Sequence, residues 1–372
     1  MSVSEQLTPQ ELDALVGEVN QYLRNKRANK IVGVAHSEKP RFELYHGSLS
    51  LCSHKVRTVL AEKGQTYISH ALNIMPAGKA VPQNYRPPYV RLRLTAAGQS
   101  GYATSYSGAS AVRVEGVDPC VVPTLVDHEE RRVVIDSRQI CDYIAENVAS
   151  GTDLIPEDLS HAIALQTDLV DQAPHVALLY GSFPDDDPRP KELASAMKGV
   201  HQKKITALRT VLDHIGPNSD LRPAFESKIN KELAAGAFVI EPEKMRDAHA
   251  RGRAHVAALE QQLKLSDGPW IFGDRYTMAD VLWTISLYRL NWLGFAKWWG
   301  SDTDNDRVPD YYARAVHRPA FRSAVADWKY AHGPSPHIEE LSHPSVKPKF
   351  LFNTLREMDV KELLLGTDLG TR

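Results

Sequence analysis

One cysteine stands where a short apolar strand ends and a predicted helix begins. In the stretch SLSLCSHK, residues 48–55, Ser50 is a suitable helix N-cap and places Cys52 at the second helical position. The free N–H groups and the dipole at that helix end favour the thiolate form of a cysteine. His54 and Lys55 are expected to add positive charge, and the Ser50 hydroxyl to donate to the thiolate. Cys52 also lies on the apolar face of the helix, so packing in a core is the alternative role.

The residue types around Cys52 limit its redox chemistry. A thioredoxin-type dithiol needs the spacing C-x-x-C, and Lys55 occupies the second position here. A disulfide formed by Cys52 in turnover must therefore use an external thiol, which points to glutathione. Cys120 and Cys141 are expected to be structural, because an odd total of three cysteines makes no disulfide framework.

Two further stretches have the residue types that bind such a peptide. Val122 precedes Pro123 at the start of a strand, so its backbone N–H and C=O can pair with an extended cysteinyl residue. Asp136 suits an ammonium group, whereas the Ser137 hydroxyl and the helix N–H groups beside it suit a carboxylate. A γ-glutamyl group presents both charges together. Each stretch is weak alone, but their order after Cys52 predicts a glutathione site.

These residues require an α/β frame, which the pattern of residues 41–150 predicts. A helix from about Ser50 to Lys63, with Gly64 as its stop, lies between two strands, and a strand pair then leads into a helix capped by Ser137. The order β-α-β, then β-β-α, is that of a thioredoxin-like domain. The elements are read from RFELYHG, TYISHALNI, VVPTLVDH, RRVVIDS and SRQICDYIAENV.

The remainder of the chain, residues 151–333, reads as an all-helical domain. It includes a long periodic segment from 224 to 265 and an apolar helix opened by a capping box from Thr277 to Asp280. The fold class is therefore α/β plus all-α, with extensions at 1–40 and 334–372. The aromatic residues of this domain are expected mostly in the core or at an interface, although two of them, Tyr180 and Trp292, are alternatively placed in an aromatic substrate pocket.

An insertion interrupts the α/β frame at residues 95–119, where Gly, Ser, Ala and Tyr dominate. Long loops of this kind are usually functional or disordered. Two interpretations stay open: a loop that covers the substrate, and a solvated insertion with no role in substrate binding.

Composition excludes several classes of function. The 372 residues are 42% hydrophobic and 24% charged with a net charge of −2, so neither nucleic acid nor an anionic membrane is expected as a partner. No apolar run reaches about 18 residues, and the N-terminus lacks the apolar core of a signal peptide, so we expect a cytoplasmic protein. The 15 histidines form no ligand spacing, and we expect no bound metal.

The arrangement resembles the cytosolic glutathione transferases over about residues 41–332. Within that superfamily, Ser50-Leu51-Cys52-Ser53 is similar to the S-x-C-S signature of reductive dehalogenases that act on chlorinated hydroquinones. The likeness extends over RFELYHGSLSLCSHKVRTVLAEKG, YVRLRL, VVPTLVDH, LVDQAPHVALLYG and GPWIFGDRYTMADVLWTISLYRLNWLG. It implies a homodimer with a cis proline at Pro123, glutathione as co-substrate and a small aromatic substrate.

The resemblance also implies a reaction. Glutathione would displace halide from a halohydroquinone, and Cys52, assisted by Ser50, would then take glutathione from the conjugate as a mixed disulfide that a second glutathione releases. Val122, Pro123, Asp136 and Ser137 match the glutathione-binding positions. Two alternatives stay open. One is cleavage of β-aryl ethers, or conjugation of another aromatic, which needs no catalytic cysteine; the other is a transferase-like binding protein without turnover.

Overall fold

The computed structural model describes residues 3–23, 30–33, 40–76, 81–98, 100–109, 116–183, 185–299 and 303–328, apart from the side chains of Tyr22 and Lys30. The predicted C-terminal extension, 334–372, lies outside these residues. So do parts of the N-terminal extension and of the insertion.

A five-stranded mixed sheet forms the centre of the first half of the chain. Its spatial order is β1-β3-β2-β4-β5, with β2 and β3 parallel and the other neighbours antiparallel. The α/β part thus has the predicted thioredoxin-like order with one additional edge strand. The strands are β1 (Lys30–Val32), β2 (Phe42–His46), β3 (Tyr67–Ala71), β4 (Thr124–Asp127) and β5 (Arg132–Ile135).

Four helices cover the two faces of this sheet: α1 (Pro9–Tyr22), α2 (Leu51–Glu62), α3 (Pro87–Leu94) and α4 (Ser137–Asn147). Side chains alternate along β2, so Leu44 joins the core under α2 and α4, whereas Tyr45 joins the core under α1 and α3. The helix after Gly47 begins and ends as predicted, with Ser50 as N-cap and Gly64, at φ +63°, just beyond it.

Two features of this half differ from the sequence-based expectations. Helix α3 had no predicted counterpart; the proline at its first position, Pro87, needs no donor there and is compatible with a helix start. Helix α4 is capped by Asp136 and not by Ser137, because the Asp136 carboxylate accepts hydrogen bonds from the N–H groups of Arg138 and Gln139. Ser137 is instead the first helical residue.

The second half is helical, as predicted. The predicted segment from 224 to 265 is two helices that are interrupted just before Pro242. The α-helices are α5 (Ser160–Asp171), α6 (His175–Tyr180), α7 (Lys191–Met197), α8 (Val200–Ile215), α9 (Arg222–Phe238), α10 (Pro242–Lys264), α11 (Met278–Trp292), α12 (Arg307–Val316) and α13 (Pro319–Phe321), the last followed by a π-helical turn (Arg322–Ala326). Three 3₁₀ helices span Gln83–Tyr85, Glu157–Leu159 and Ala296–Trp299.

Helix α11 is the central element of the helical half, since all of its residues are buried and it packs against α2, α5 and α12. The predicted capping box opens it. The Asp280 carboxylate accepts from the N–H and the hydroxyl of Thr277 at 2.9 and 3.0 Å. It also accepts from the N–H of Ile271 at 3.0 Å and the hydroxyl of Tyr311 at 3.2 Å. One buried carboxylate therefore ties the preceding loop and α12 to the helix start.

The described part of the insertion packs against the helical half. Tyr102 forms a β-bridge with Val117, and Tyr106 meets the ring of Phe238 in α9 edge to face at 5.0 Å between centroids. A side chain at Gly108 would collide with Phe238 and Arg251. These residues are thus fitted to α9 and α10.

Removing the Asp280 carboxylate is expected to cost far more stability than removing its exposed counterpart in α1, Glu11. In Asp280→Ala the buried donors of Ile271, Thr277 and Tyr311 lose their acceptor, so the free energy of unfolding should fall by about 3 kcal/mol. In Glu11→Ala, water replaces the carboxylate of an exposed capping box, and the loss should be much smaller. Urea unfolding at neutral pH measures both, and equal losses would contradict this account.

Asp280 should also make stability depend on pH. Burial raises the pKa of this carboxyl from its ordinary 3.8 to about 6, although the hydrogen bonds from Ile271 and Thr277 oppose the shift. Because the folded pKa is the higher one, the protonated form of Asp280 gives additional stability, which is fully present below about pH 4 and is lost as the pH rises through about 6. Relative to Asp280→Asn, the wild-type protein should therefore lose about 3 kcal/mol of unfolding free energy between about pH 4 and pH 7.5. Urea titrations at the two pH values test this; a constant difference would refute it.

Candidate active site

The N-terminus of α2 carries the predicted nucleophile. The Ser50 hydroxyl oxygen accepts from the N–H of Ser53 at 3.3 Å, and the Ser53 hydroxyl accepts from the N–H of Gly47 at 3.1 Å. These bonds fix the turn between β2 and α2. Cys52 is the second helical residue and is partly exposed, whereas the helix is buried from Ser53 to Leu60. In α2, therefore, Leu51 and Cys52 at the start and Ala61 near the end are partly exposed to solvent.

The sheet brings the other predicted residues to the same edge. Tyr45 near the end of β2 pairs with Thr124 at the start of β4, and Thr124 pairs with Ile135 at the end of β5. The segments that leave these strand ends are 46–52, 122–123 and 136–137. All six predicted site residues, Ser50, Cys52, Val122, Pro123, Asp136 and Ser137, thus lie at one edge of the sheet.

The Val122–Pro123 peptide bond is cis, as expected. Within the described residues, neither the N–H nor the C=O of Val122 makes a hydrogen bond. The flanking groups are held from α3: the Arg93 guanidinium donates to the Pro123 carbonyl at 2.7 Å, and the Tyr89 hydroxyl donates to the Val121 carbonyl at 2.8 Å. A rigid, unpaired backbone segment of this kind suits pairing with an extended peptide.

Asp136 has φ +68° and ψ 127°, a conformation that is rare for a residue with a side chain. Strained residues of this sort concentrate at functional sites. One carboxylate oxygen accepts from the N–H groups of Arg138 and Gln139 at 3.0 and 3.2 Å, so this oxygen already occupies the helix N-terminus. Burial and the neighbouring carboxylate of Asp171 raise the pKa of Asp136. Ser137 is buried beside it.

Positive charge reaches Cys52 from Lys55 and from the helical half. The Lys55 ammonium forms an ion pair with Asp171 of α5 at 2.7 Å. Burial lowers the pKa of Lys55, but the charges of Asp171 and of the Cys52 thiolate outweigh burial and raise it overall. His54 does not contribute as expected: its ring donates to the Ser48 carbonyl at 2.9 Å, and burial holds its pKa well below the ordinary value, so the ring is neutral.

Two arginines that the sequence analysis did not select complete this region. Arg57 is 1% exposed; its guanidinium donates to the carbonyls of Ser48 and Ala324 at 3.2 and 2.9 Å and lies over the Trp328 ring at 4.1 Å. Arg289 of α11 donates to the carbonyl of Leu49. A cation inside an otherwise apolar helical run is the sequence signal that marks Arg289, whereas Arg57 lies in a mixed polar and apolar segment that gives no such signal.

The other cysteines are inaccessible. Cys120 and Cys141 are fully buried, and burial raises the pKa of both thiols. This agrees with their expected structural role. Of the two aromatics proposed for a pocket, Trp292 is buried, whereas Tyr180 is half-buried with the Lys204 ammonium over its ring at 4.4 Å.

The described part of the chain lacks two other kinds of feature. No group of three or more His, Cys, Asp or Glu side chains is arranged to hold a metal ion. No helix there is long and apolar enough to cross a membrane.

Comparison with known proteins agrees with this geometry. Residues 49–147 match the family model "Glutathione S-transferase, N-terminal domain". The chain is 44% identical over 305 residues to 2,5-dichlorohydroquinone reductive dechlorinase from two strains of Sphingobium indicum, an alignment that spans 82% of this chain and 87% of the relative. It is 25% identical to tetrachloro-p-hydroquinone reductive dehalogenase from Sphingobium chlorophenolicum, over 78% of this chain and 98% of that one.

A solved structure supports the fold. The beta-etherase LigF from Sphingobium sp. strain SYK-6 superposes with a TM-score of 0.50 at 16% identity, over 76% of this chain and 98% of the etherase. From the relatives, the family model and the fold together, we conclude that the chain belongs to the glutathione S-transferase family.

Proposed function

We propose that this protein is a glutathione-dependent reductive dehalogenase of chlorinated hydroquinones. The observation that carries the proposal is the partly exposed Cys52 at the N-terminus of α2, in a chain whose 44% identical relative is named as a reductive dechlorinase. A conjugating transferase has no need of this thiol, whereas a reductase does.

Glutathione would bind along the sheet edge. The unpaired N–H and C=O of Val122, before cis Pro123, would pair with its cysteinyl backbone. Asp136 and Ser137 would hold the γ-glutamyl group. Because one Asp136 carboxylate oxygen caps α4, the ammonium of the γ-glutamyl group would have to contact the other oxygen. In this proposal residues 41–150 form the glutathione-binding domain and residues 151–333 supply the aromatic site.

The reaction balances with two molecules of glutathione. In the first step, addition of one glutathione thiolate to the keto tautomer of the hydroquinone expels halide and leaves a carbon–sulfur bond. In the second, the Cys52 thiolate attacks that sulfur, a sulfur–sulfur bond forms, and the electron pair of the broken carbon–sulfur bond returns to the aromatic. A second glutathione thiolate then attacks the mixed disulfide, which releases oxidised glutathione and restores Cys52.

The surroundings of Cys52 suit these steps. The N–H groups at the start of α2 and the Lys55 ammonium place positive charge beside Cys52, and the Ser50 oxygen accepts one hydrogen bond while its hydrogen is left to donate. With Cys120 and Cys141 fully buried, no second thiol of the chain competes with glutathione for the mixed disulfide.

The family resemblance further supports a homodimer in the cytoplasm. Size-exclusion chromatography with light scattering tests the oligomeric state, and a monomer at micromolar concentration would remove that part of the proposal.

Replacing the thiol should separate the two halves of the reaction. In Cys52→Ala, halide release should persist while the glutathionyl aromatic accumulates, and formation of the dehalogenated hydroquinone should fall by about 10³-fold or more. The matched control is Cys141→Ala, which removes a buried thiol from the facing helix and should leave product formation near the wild-type rate. Chromatography of the quenched reactions measures all three species. A fully active Cys52→Ala would show that Cys52 only packs, and turnover confined to aryl ethers would favour the displacement alternative.

The mixed disulfide should be directly visible. After one turnover with limiting glutathione, intact-protein mass spectrometry should show one glutathionyl group per chain, located on Cys52 by peptide mapping. Excess glutathione should remove it. An adduct that forms equally in Cys52→Ala, or none in a protein that releases dehalogenated product, would contradict the second step.

A further inference from the structure

Arg289 is a buried cation whose hydrogen-bonding capacity is largely unused. It lies in α11, is 5% exposed, and stacks its guanidinium on the Trp292 ring at 4.6 Å. Within the described residues its single hydrogen bond runs from one terminal nitrogen to the Leu49 carbonyl at 2.5 Å. Its Nε is buried and has no acceptor there. A guanidinium has five N–H donors in a planar fork, so most of the donors of Arg289 have no acceptor among the described residues.

No carboxylate of the described residues neutralises this charge. Lys55 has Asp171 at 2.7 Å, and Arg318 has Glu62 at 2.8 Å, but no ion pair of Arg289 exists among the described groups. An isolated buried charge is costly unless a partner arrives, and burial accordingly lowers the pKa of Arg289. The arrangement is that of a preformed site for an anion.

The position of the guanidinium identifies the anion it can meet. The guanidinium donates to the carbonyl of Leu49, which directly precedes Ser50. Because Leu49 and Cys52 are both partly exposed, the guanidinium lies beside the partly exposed start of α2. The titratable groups that interact electrostatically with Arg289 are Cys52, His54, His175, Tyr180 and Tyr288, and the cations Lys55 and Arg57 lie beside Cys52 and His54. Both histidines are neutral because burial holds their pKa well below the ordinary value, and the two tyrosines are phenols. Apart from the Cys52 thiolate, the anion must therefore come from the bound substrate.

We propose that Arg289 binds the ionised oxygen of a phenolic substrate beside Cys52 and so makes the site selective for aromatics that carry an acidic hydroxyl. The inference rests on the proposed function and names the group that recognises its substrate. When Cys52 attacks the conjugate sulfur in the keto tautomer, the electron pair of the carbon–sulfur bond enters the ring. Negative charge then develops on the oxygen, the ring carbon keeps its hydrogen, and the guanidinium stabilises the phenolate formed.

Equilibrium binding tests this without turnover. The full-length protein, with S-methylglutathione present, is titrated with a trichlorophenol that is ionised at neutral pH and with its methyl ether. The wild-type protein should bind the phenolate about 10- to 100-fold more tightly than the ether. Arg289→Met should lose this preference to within about twofold. The matched control, Arg275→Met, removes an exposed arginine paired with Asp158 and should keep the preference.

Equal binding of phenolate and ether by the wild-type protein, or an unchanged preference in Arg289→Met, would overturn the proposal. Should Arg289→Met fail to fold by circular dichroism, Arg289→Lys decides: a preference reduced about threefold or more supports the role of the guanidinium fork, and an unchanged one overturns it. Because no step of the assay requires catalysis, a protein that binds phenolate selectively but releases no halide would refute only the proposed function.

Discussion

The structure depends on the clamping of helix α2 between the sheet and the helical half. Four charged contacts tie it to elements far along the chain: Lys55 to Asp171, Arg57 to the Ala324 carbonyl, Glu62 to Arg318, and Arg289 to the Leu49 carbonyl just before the helix. Each is largely buried, where electrostatic interactions are strong and misplacement is costly. Since Cys52 lies in the first turn of this helix, these contacts fix the position of the thiol that attacks the conjugate in the proposed reaction.

Burial also determines which ionisable groups near the site are charged. It keeps His54 neutral and the thiols of Cys120 and Cys141 protonated, while Lys55 retains its charge through Asp171. What remains at the surface is one partly exposed thiol above buried cations. That distribution suits a monothiol that exchanges with glutathione, and in the proposed cycle a second glutathione takes the place of a resolving cysteine.

The sequence predicted the features that local residue types determine. Ser50 and Gly64 bound α2, Thr277 and Asp280 open α11, and the peptide bond before Pro123 is cis. The cap of α4 could not be settled in this way, because Asp136 and Ser137 are both good N-cap residues and the choice depends on the positive φ of Asp136. The neutral state of His54 and the contacts of Arg57 and Arg289 were equally out of reach. They depend on burial by segments more than 200 residues away, which local pattern does not contain.

The stoichiometry of turnover tests the central claim, that the protein reduces its aromatic substrate through Cys52, most directly. With a chlorinated hydroquinone and excess glutathione under anaerobic conditions, chloride and oxidised glutathione should form in equal amounts, one of each for every chlorine that hydrogen replaces. Chloride released together with an equal amount of glutathionyl aromatic, and no oxidised glutathione, would show a conjugating transferase and contradict the account.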